Sequence, residues 1–265
     1  MRRRPRSDFI GAMHATPLQS LVEYCNRVLR VESFGDWDGA QNGLQVANRG
    51  RVRRLAAAVD ARLATIRQAA AAGADLLLVH HGLFWGPTTP WTGSRLELMR
   101  LLLENDLAVY SAHLPLDAHP RWGNNARLCA ALGLGRTRPF FPTKGQPIGR
   151  LASGRWSREE LRSRLARAVG RAPLEIPFGP AVCRRVGVVS GGAGAELRQA
   201  AAEGVDTFIT GEGPHWTHAL AEELGLNVYY AGHYATETFG VRALAAQVAA
   251  RFRIPWEFID HPTGL

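Results

Sequence analysis

Val79-His80-His81-Gly82 closes an apolar run that begins at Leu76 and sets two imidazoles side by side. Ser111-Ala-His113-Leu-Pro-Leu-Asp117-Ala-His119 adds a carboxylate between two further histidines, and Gly232-His233-Tyr-Ala-Thr-Glu237 pairs an imidazole with a carboxylate four residues on. Mixed nitrogen and oxygen donors of this kind suit borderline divalent cations. His80, His81, Asp117, His233 and Glu237 together offer more ligands than one ion with an open position needs. Two ions bridged by a carboxylate account for the number better. Adjacent strand residues face opposite ways, so a turn after His81, permitted by Gly82, is expected to bring both rings to one site. His233 and Glu237, at i and i+4 where a strand gives way to a helix, reach one face.

Other residues near these motifs can take supporting parts. Glu212 is a candidate proton-transfer group, or a group behind the metal ligands. His113 and His218 are candidates for orienting a ligand or touching substrate. Asn42 and Gln45, in Gln41-Asn-Gly-Leu-Gln45, offer polar groups to a substrate or simply make a turn. Ser190-Gly-Gly-Ala-Gly194 lies between strand and helix signals, where backbone amides either cradle a phosphate or form a tight turn. It lacks the spacing of a complete nucleotide-binding loop. No Gly-x-Ser-x-Gly elbow and no cysteine-centred motif occurs, which removes the usual signs of covalent acyl transfer.

Positioning such groups calls for strands that end together. Apolar runs at 55–59, 76–79 and 108–112 alternate with helical patterns at 61–72, 94–105 and 124–132, the signature of βαβ units and a buried, largely parallel sheet. Thr16 to Gln19 reads as a capping box opening the first helix, and Ser157 to Glu160 as another. The strand pattern returns at 186–189, 207–210 and 228–231. Residues 66–82 align without gaps on 197–213, with eight of 17 positions identical, and Leu107 to Ala112 echoes Leu226 to Ala231. The expectation is an α/β protein of two related lobes with mostly parallel sheets, the metal site in the cleft between them. Residues 1–13 form an extension that is disordered or precedes the true start at Met13. Residues 14–135 make the first lobe, 136–155 a Pro- and Gly-rich connection, and 156–265 the second lobe, whose last motif returns to the shared site.

The chain has 265 residues, 46% of them hydrophobic, enough for substantial cores. Of the net charge of +9, the first dozen residues carry +3, so the remainder is moderately basic. That surplus favours small anionic partners, a nucleotide among them. Nucleic acid is less favoured, because the basic stretches 49–54 and 162–167 are not interleaved with aromatics. No apolar run reaches the roughly 18 residues of a membrane helix, and Cys25, Cys129 and Cys183 form no pair, so a soluble protein of a reducing, cytoplasmic compartment is expected.

The ordered set Asp38-Gly-Ala-Gln-Asn-Gly-Leu-Gln-Val46, Val79-His-His-Gly-Leu-Phe-Trp85, Ser111-Ala-His-Leu-Pro-Leu-Asp117, and Ala231-Gly-His-Tyr-Ala-Thr-Glu237 followed by Thr238 to Leu244 resembles the dinuclear-metal hexameric proteins known as type 2 GTP cyclohydrolase I homologues, or NGG-interacting-factor-3-like proteins. The resemblance runs in order from about Leu18 to the C-terminus. It implies that His81 and Asp117 hold one ion, His80 and His233 the other, and Glu237 bridges them. It implies two divalent ions per chain and a toroidal homohexamer with its sites facing an internal cavity; zinc, iron, manganese and cobalt all accept this mixture of nitrogen and oxygen ligands. The implied activity is hydrolytic opening of the guanine ring of GTP with release of formate. The same ligands would serve a hydrolase of another nucleotide. They would also serve a non-catalytic ring that stores or delivers metal, or that binds nucleic acid.

Overall fold

A computed structural model describes residues 15–86 and 89–265, so the expected extension at 1–13 lies outside the described residues. The first part of the chain runs through β1 (Thr16–Pro17), α1 (Leu18–Leu29), β2 (Gly43–Val46), β3 (Arg51–Val52), β4 (Leu55–Asp60), α2 (Leu63–Ala71), β5 (Leu76–His81), α3 (Gly93–Glu104), β6 (Ala108–Ser111), α4 (Leu114–Asp117) and α5 (Asn124–Ala131). It continues through β7 (Thr137–Thr143), β8 (Gln146–Ser157), α6 (Arg158–Val169), β9 (Leu174–Pro177), β10 (Val182–Val188), α7 (Leu197–Ala202), β11 (Thr207–Thr210), α8 (Thr217–Leu224), β12 (Asn227–Tyr230), α9 (His233–Phe252) and β13 (Trp256–Phe258).

This is an α/β fold with two large sheets. The first has the order β13-β4-β5-β6-β2, parallel except for the antiparallel edge strand β2. Its strands are apolar on both faces because helices cover both. Leu55, Ala57, Val59, Leu76 and Leu78 pack with α1 and α9, while Ala56, Ala58, Leu77 and Val79 pack with α2 and α3. The second sheet has the order β7-β8-β10-β11-β12-β9. Only β10-β11 and β11-β12 are parallel there, so this sheet is mixed rather than mostly parallel.

The repeat seen in the sequence reappears in the hydrogen bonding. Leu55 pairs with Leu76 in the first sheet and Val186 with Thr207 in the second, each residue shifted by the same 131 positions. Asp75 Oδ2 accepts the backbone N–H groups of Arg53 and Arg54, and Asp206 Oδ2 those of Arg184 and Arg185. Each carboxylate locks the start of one parallel strand to its neighbour.

Three local expectations change. Residues 136–155 are not a free connection: β7 and β8 form a hairpin of the second sheet, turned at Lys144 and Gly145, both at positive φ. Pro139 and Pro142 are tolerated because β7 is an edge strand, and Pro147 because β8 pairs there with β7 alone. The last strand, β13, joins the first sheet beside β4, and α9 packs on that sheet as well. Thr16 does not cap α1, since it pairs in a short ladder with Val52 and Pro17 occupies the cap position. At α6 the expected cap is present, with Ser157 Oγ accepting from the Glu160 N–H at 3.0 Å. The three cysteines are buried and unpaired.

Candidate metal centre

Strand β5 is hydrogen-bonded to β4 through His81, which pairs with Asp60. The backbone therefore does not turn between the histidines. His80 continues the alternation toward the α9 side, His81 points toward the α2 and α3 side, and the rings reach past the strand end with centroids 4.8 Å apart. Gly82 serves a different need from the one expected: a Cβ there would collide with the Gln45 side chain. Gln45 Oε1 in turn accepts from the Leu83 N–H, so it supports the loop after β5.

Glu237 closes the arrangement from the second turn of α9. Its Oε1 lies 3.5 Å from His80 Nε2, and its Oε2 lies 3.4 Å from His81 Nε2 and 3.2 Å from His233 Nε2. Asp117, at the end of the short helix α4 rather than on an open loop, brings Oδ2 to 3.6 Å from His80 Nε2. All five residues that the sequence marks as ligands therefore meet. Asp117 comes within this range of His80, and His81 and His233 both approach Glu237 Oε2, whereas the resemblance implies His81 with Asp117 and His80 with His233.

Each imidazole is held by its other nitrogen. His80 Nδ1 donates to the Ala112 carbonyl (2.8 Å), His81 Nδ1 to Asp60 Oδ1 (3.0 Å), His233 Nδ1 to Glu212 Oε1 (2.8 Å), and His113 Nδ1 to Asp36 Oδ1 (2.8 Å). Nε2 is thus the free nitrogen in every case, which is how metal-binding histidines are usually braced. Asp117 Oδ1 accepts from Asn124 Nδ2 and Ser190 Oγ, leaving Oδ2 free. His80 Nε2 and Glu237 Oε2 are buried without a hydrogen-bond partner. Such orphaned groups cost about 1–3 kcal/mol each, and a cation bound between them would satisfy both. The residues present fit a divalent metal.

The charges say the same for the metal-free protein. Burial opposes charge on His80, but Asp117 and Glu237 outweigh it and raise its pKa to about 10. Burial likewise opposes charge on His233, which Glu237 and then Glu212 raise to about 9. Burial would raise Glu237, yet His81 and His80 hold its carboxyl well below the ordinary range. Asp60 is depressed as well, with burial overcome by the hydrogen bond and charge of His81. Protons occupy, in effect, the positions a cation would take.

Two clefts open from this centre. One, of about 510 Å³, is lined by Arg62, Trp85, Trp91 and Arg95 beside His81 and His233. The other, of about 450 Å³, has Trp37, Trp85, His113 and Phe141 beside Asp117 and Glu237. Trp85 borders both, standing edge-on to His81 and to His113.

Of the supporting candidates, Glu212 and His113 are at the site and His218 is not. His218 is exposed on α8, where its ring meets that of Phe178. His119 stacks on Trp122 and accepts backbone N–H groups of Arg121 and Trp122, which is turn chemistry. Asn42 donates to Asp36 Oδ2 and accepts from the His113 N–H, so it steadies His113. Ser190 and Gly191 pack against Asp117 and Glu237, and the loop they begin makes a close βα turn. Asp36, Asp60 and Asn124 escaped notice in the sequence because each is an isolated polar residue that only the fold brings to a ligand.

A model of the family described as Duf34/NIF3 (NGG1p interacting factor 3) matches residues 16–263. A relative from Deinococcus radiodurans named GTP cyclohydrolase 1 type 2 homolog is 44% identical over 249 residues, covering 92% of this chain and 93% of its own. A relative of the same name from Halobacterium salinarum is 45% identical over 246 residues, covering 91% and 96%. The solved structure of TTHA1606 from Thermus thermophilus superposes with a TM-score of 0.86 at 40% identity, covering 94% of this chain and 100% of that one.

Proposed function

This chain belongs to the Duf34/NIF3 family, and from that premise we propose that it is a dinuclear metal-dependent hydrolase of a small anionic, nucleotide-like substrate. The observation that carries the proposal is Glu237, whose two carboxylate oxygens face different imidazoles while the whole group is buried. His80 and Asp117 would hold one ion, His81 and His233 the other, and Glu237 both. A pair of divalent cations supplies Lewis acidity and makes water acidic enough to act as a nucleophile near neutral pH.

The protein's own residues supply the rest. Arg62 and Arg95 line the larger cleft and match an anionic group, and Trp85 and Trp91 offer faces to a planar ring. Asp36 accepts from His113 Nδ1, so His113 Nε2 is left free at the border of the second cleft, where it can pass a proton to or from the substrate. Glu212 and Asp60 orient His233 and His81. Trp85, bordering both clefts, limits water around the reacting atoms.

GTP is the first substrate to test, because the relatives carry that name. We propose further that the protein works in the cytoplasm as a homohexamer. Among the described residues no helix is long and apolar enough to cross a membrane. The test pairs elemental analysis with formate release from GTP, on wild type and on Glu237→Gln. The expected result is two ions per chain and metal-dependent formate for the wild type, with both reduced in the variant. Two ions without formate would refute GTP as substrate, and no bound metal would refute the centre.

A further inference from the structure

Resting on the hydrolase reading above, we infer that the second cleft is a nucleobase subsite that reads the edge of a 2-amino-6-oxopurine: Glu196 accepts the ring N–H and the amino group, Lys144 donates to the carbonyl oxygen, and Trp37 and Trp85 flank the ring.

Charge divides the two clefts. Besides residues of the metal centre, the charged side chains lining the first are Arg62 and Arg95, a match for a phosphate. Those lining the second are one of each sign, Lys144 and Glu196. Opposite charges side by side suit a neutral ring with donors and acceptors on its edge, not an anion. The second cleft is also bordered by Trp37 and Trp85, each 48% exposed. Half-exposed indoles grouped at one cleft mark a binding surface for an aromatic ligand. His113, with Nε2 free, faces the same cleft, so the reacting ring belongs there and the phosphate in the first, with Trp85 between them.

The two edge-reading groups are positioned by the fold and still have bonding capacity. Lys144, the one lysine of a chain that otherwise uses arginine, stands at the turn of the β7-β8 hairpin. That turn is pinned to the loop carrying Asp36 and Trp37: Gln146 Nε2 donates to the Ser33 carbonyl at 2.9 Å, and a Cβ on Gly35 would lie 3.2 Å from the Lys144 carbonyl oxygen. Lys144 Nζ rests 4.8 Å from the centre of the Trp37 ring, a contact that leaves its N–H groups for an acceptor. An ammonium is a point donor, suited to a single carbonyl oxygen rather than to a forked pair. Glu196 ends the turn before α7, where partial burial raises its carboxyl above the ordinary range. Ligand N–H groups would offset that burial. A guanine edge brings an N–H and an NH₂ side by side, which one carboxylate accepts together, with a carbonyl oxygen beside them. Hypoxanthine lacks the amino group. Adenine lacks the carbonyl as well and turns a ring-nitrogen lone pair toward the carboxylate.

The experiment titrates the full-length, metal-loaded protein with GMP, IMP and AMP by calorimetry. Affinity should fall in that order, with GMP about 10–100-fold tighter than AMP. Glu196→Gln should weaken GMP more than IMP, Lys144→Met should weaken both by a similar factor, and neither should change AMP. Melting temperature and metal content of both variants should match the wild type, which separates lost recognition from lost fold. Equal affinity for the three nucleotides, no saturable binding of GMP, or variants that weaken all three alike would overturn the inference. Selective GMP binding without turnover of GMP or GTP would support the subsite and count against the hydrolase reading, whereas turnover with no base preference would overturn the subsite alone.

Discussion

The two sheets carry the same parallel core and use it in opposite ways. Strands β4, β5 and β6 and strands β10, β11 and β12 follow one pattern, with Asp75 and Asp206 locking equivalent strands through equivalent hydrogen bonds. At the carboxyl ends the likeness stops. The first sheet presents Asp60, His80 and His81, and the same positions in the second are Gly191, Gly211 and Glu212. A Cβ on Gly211 would lie 2.6 Å from the Gly191 carbonyl oxygen and 2.6 Å from His233 Cα, and one on Gly191 would strike Glu237. One sheet thus supplies donors, and the other supplies the room that lets α9 bring Glu237 against them. The scaffold tolerates duplication, and the chemistry lies in what stands at the strand ends.

The comparison is tested most severely at Gly211. Gly211→Ala forces the start of α9 away from the first sheet, so it should cost about 1–3 kcal/mol of stability, as overpacking does, and should also abolish the binding of both ions. Thermal melts and metal content would show it. Normal metal content in a stable Gly211→Ala protein would mean that the glycines are not what admits Glu237.

A smaller and symmetrical effect is expected at the two locks. Asp75→Ala and Asp206→Ala each remove a carboxylate that accepts two backbone N–H groups. Both side chains are partly exposed, so each loss should cost about 1–2 kcal/mol, nearly the same in the two sheets, with ion content unchanged. Denaturant melts of the pair measure this, and a large inequality would deny that the locks are equivalent.

Much of this was legible before the fold. The ligands His80, His81, Asp117, His233 and Glu237 lie in short motifs at the ends of apolar runs, where residue type and spacing already carry the chemistry. The strands 207–210 and 227–230 are likewise written locally. What the sequence hides is long-range. Asp36 reaches His113 across 77 residues, and Asn124 Oδ1 accepts the Gly240 N–H across 116. Neither has a local signal. The hairpin of β7 and β8 is hidden for another reason: Pro139, Pro142, Pro147 and Gly149 have loop-like composition. The edge strand β7 accepts Pro139 and Pro142, Pro147 lies where β8 pairs with β7 alone, and close packing against Val188 and Val189 requires the glycine. Capping by Thr16 is contradicted because strand pairing with Val52 competes for the same segment.

The gentlest test uses pH on the metal-free protein. His80 and His233 have folded-state pKa values raised to about 10 and about 9 from the ordinary 6.5. Their contribution to stability is fully present below about pH 6.5 and is lost as pH rises through 9 and 10. Glu237 has the opposite sign: depressed when folded, it contributes above its ordinary 4.5 and loses that contribution on acidification. Metal-free protein should therefore melt at progressively lower temperature from neutral pH to pH 10, and His80→Ala should flatten that slope. A slope unchanged by His80→Ala would place its origin elsewhere in the chain.

The most direct measurement is anomalous-difference diffraction at the absorption edge of the bound metal, on crystals of the metal-loaded protein. Two peaks per chain are expected, one within about 2.0–2.2 Å of His80 Nε2 and Asp117, the other at the same distance from His81 and His233, with the Glu237 carboxylate between them. A single peak, or two peaks not joined by Glu237, would contradict it.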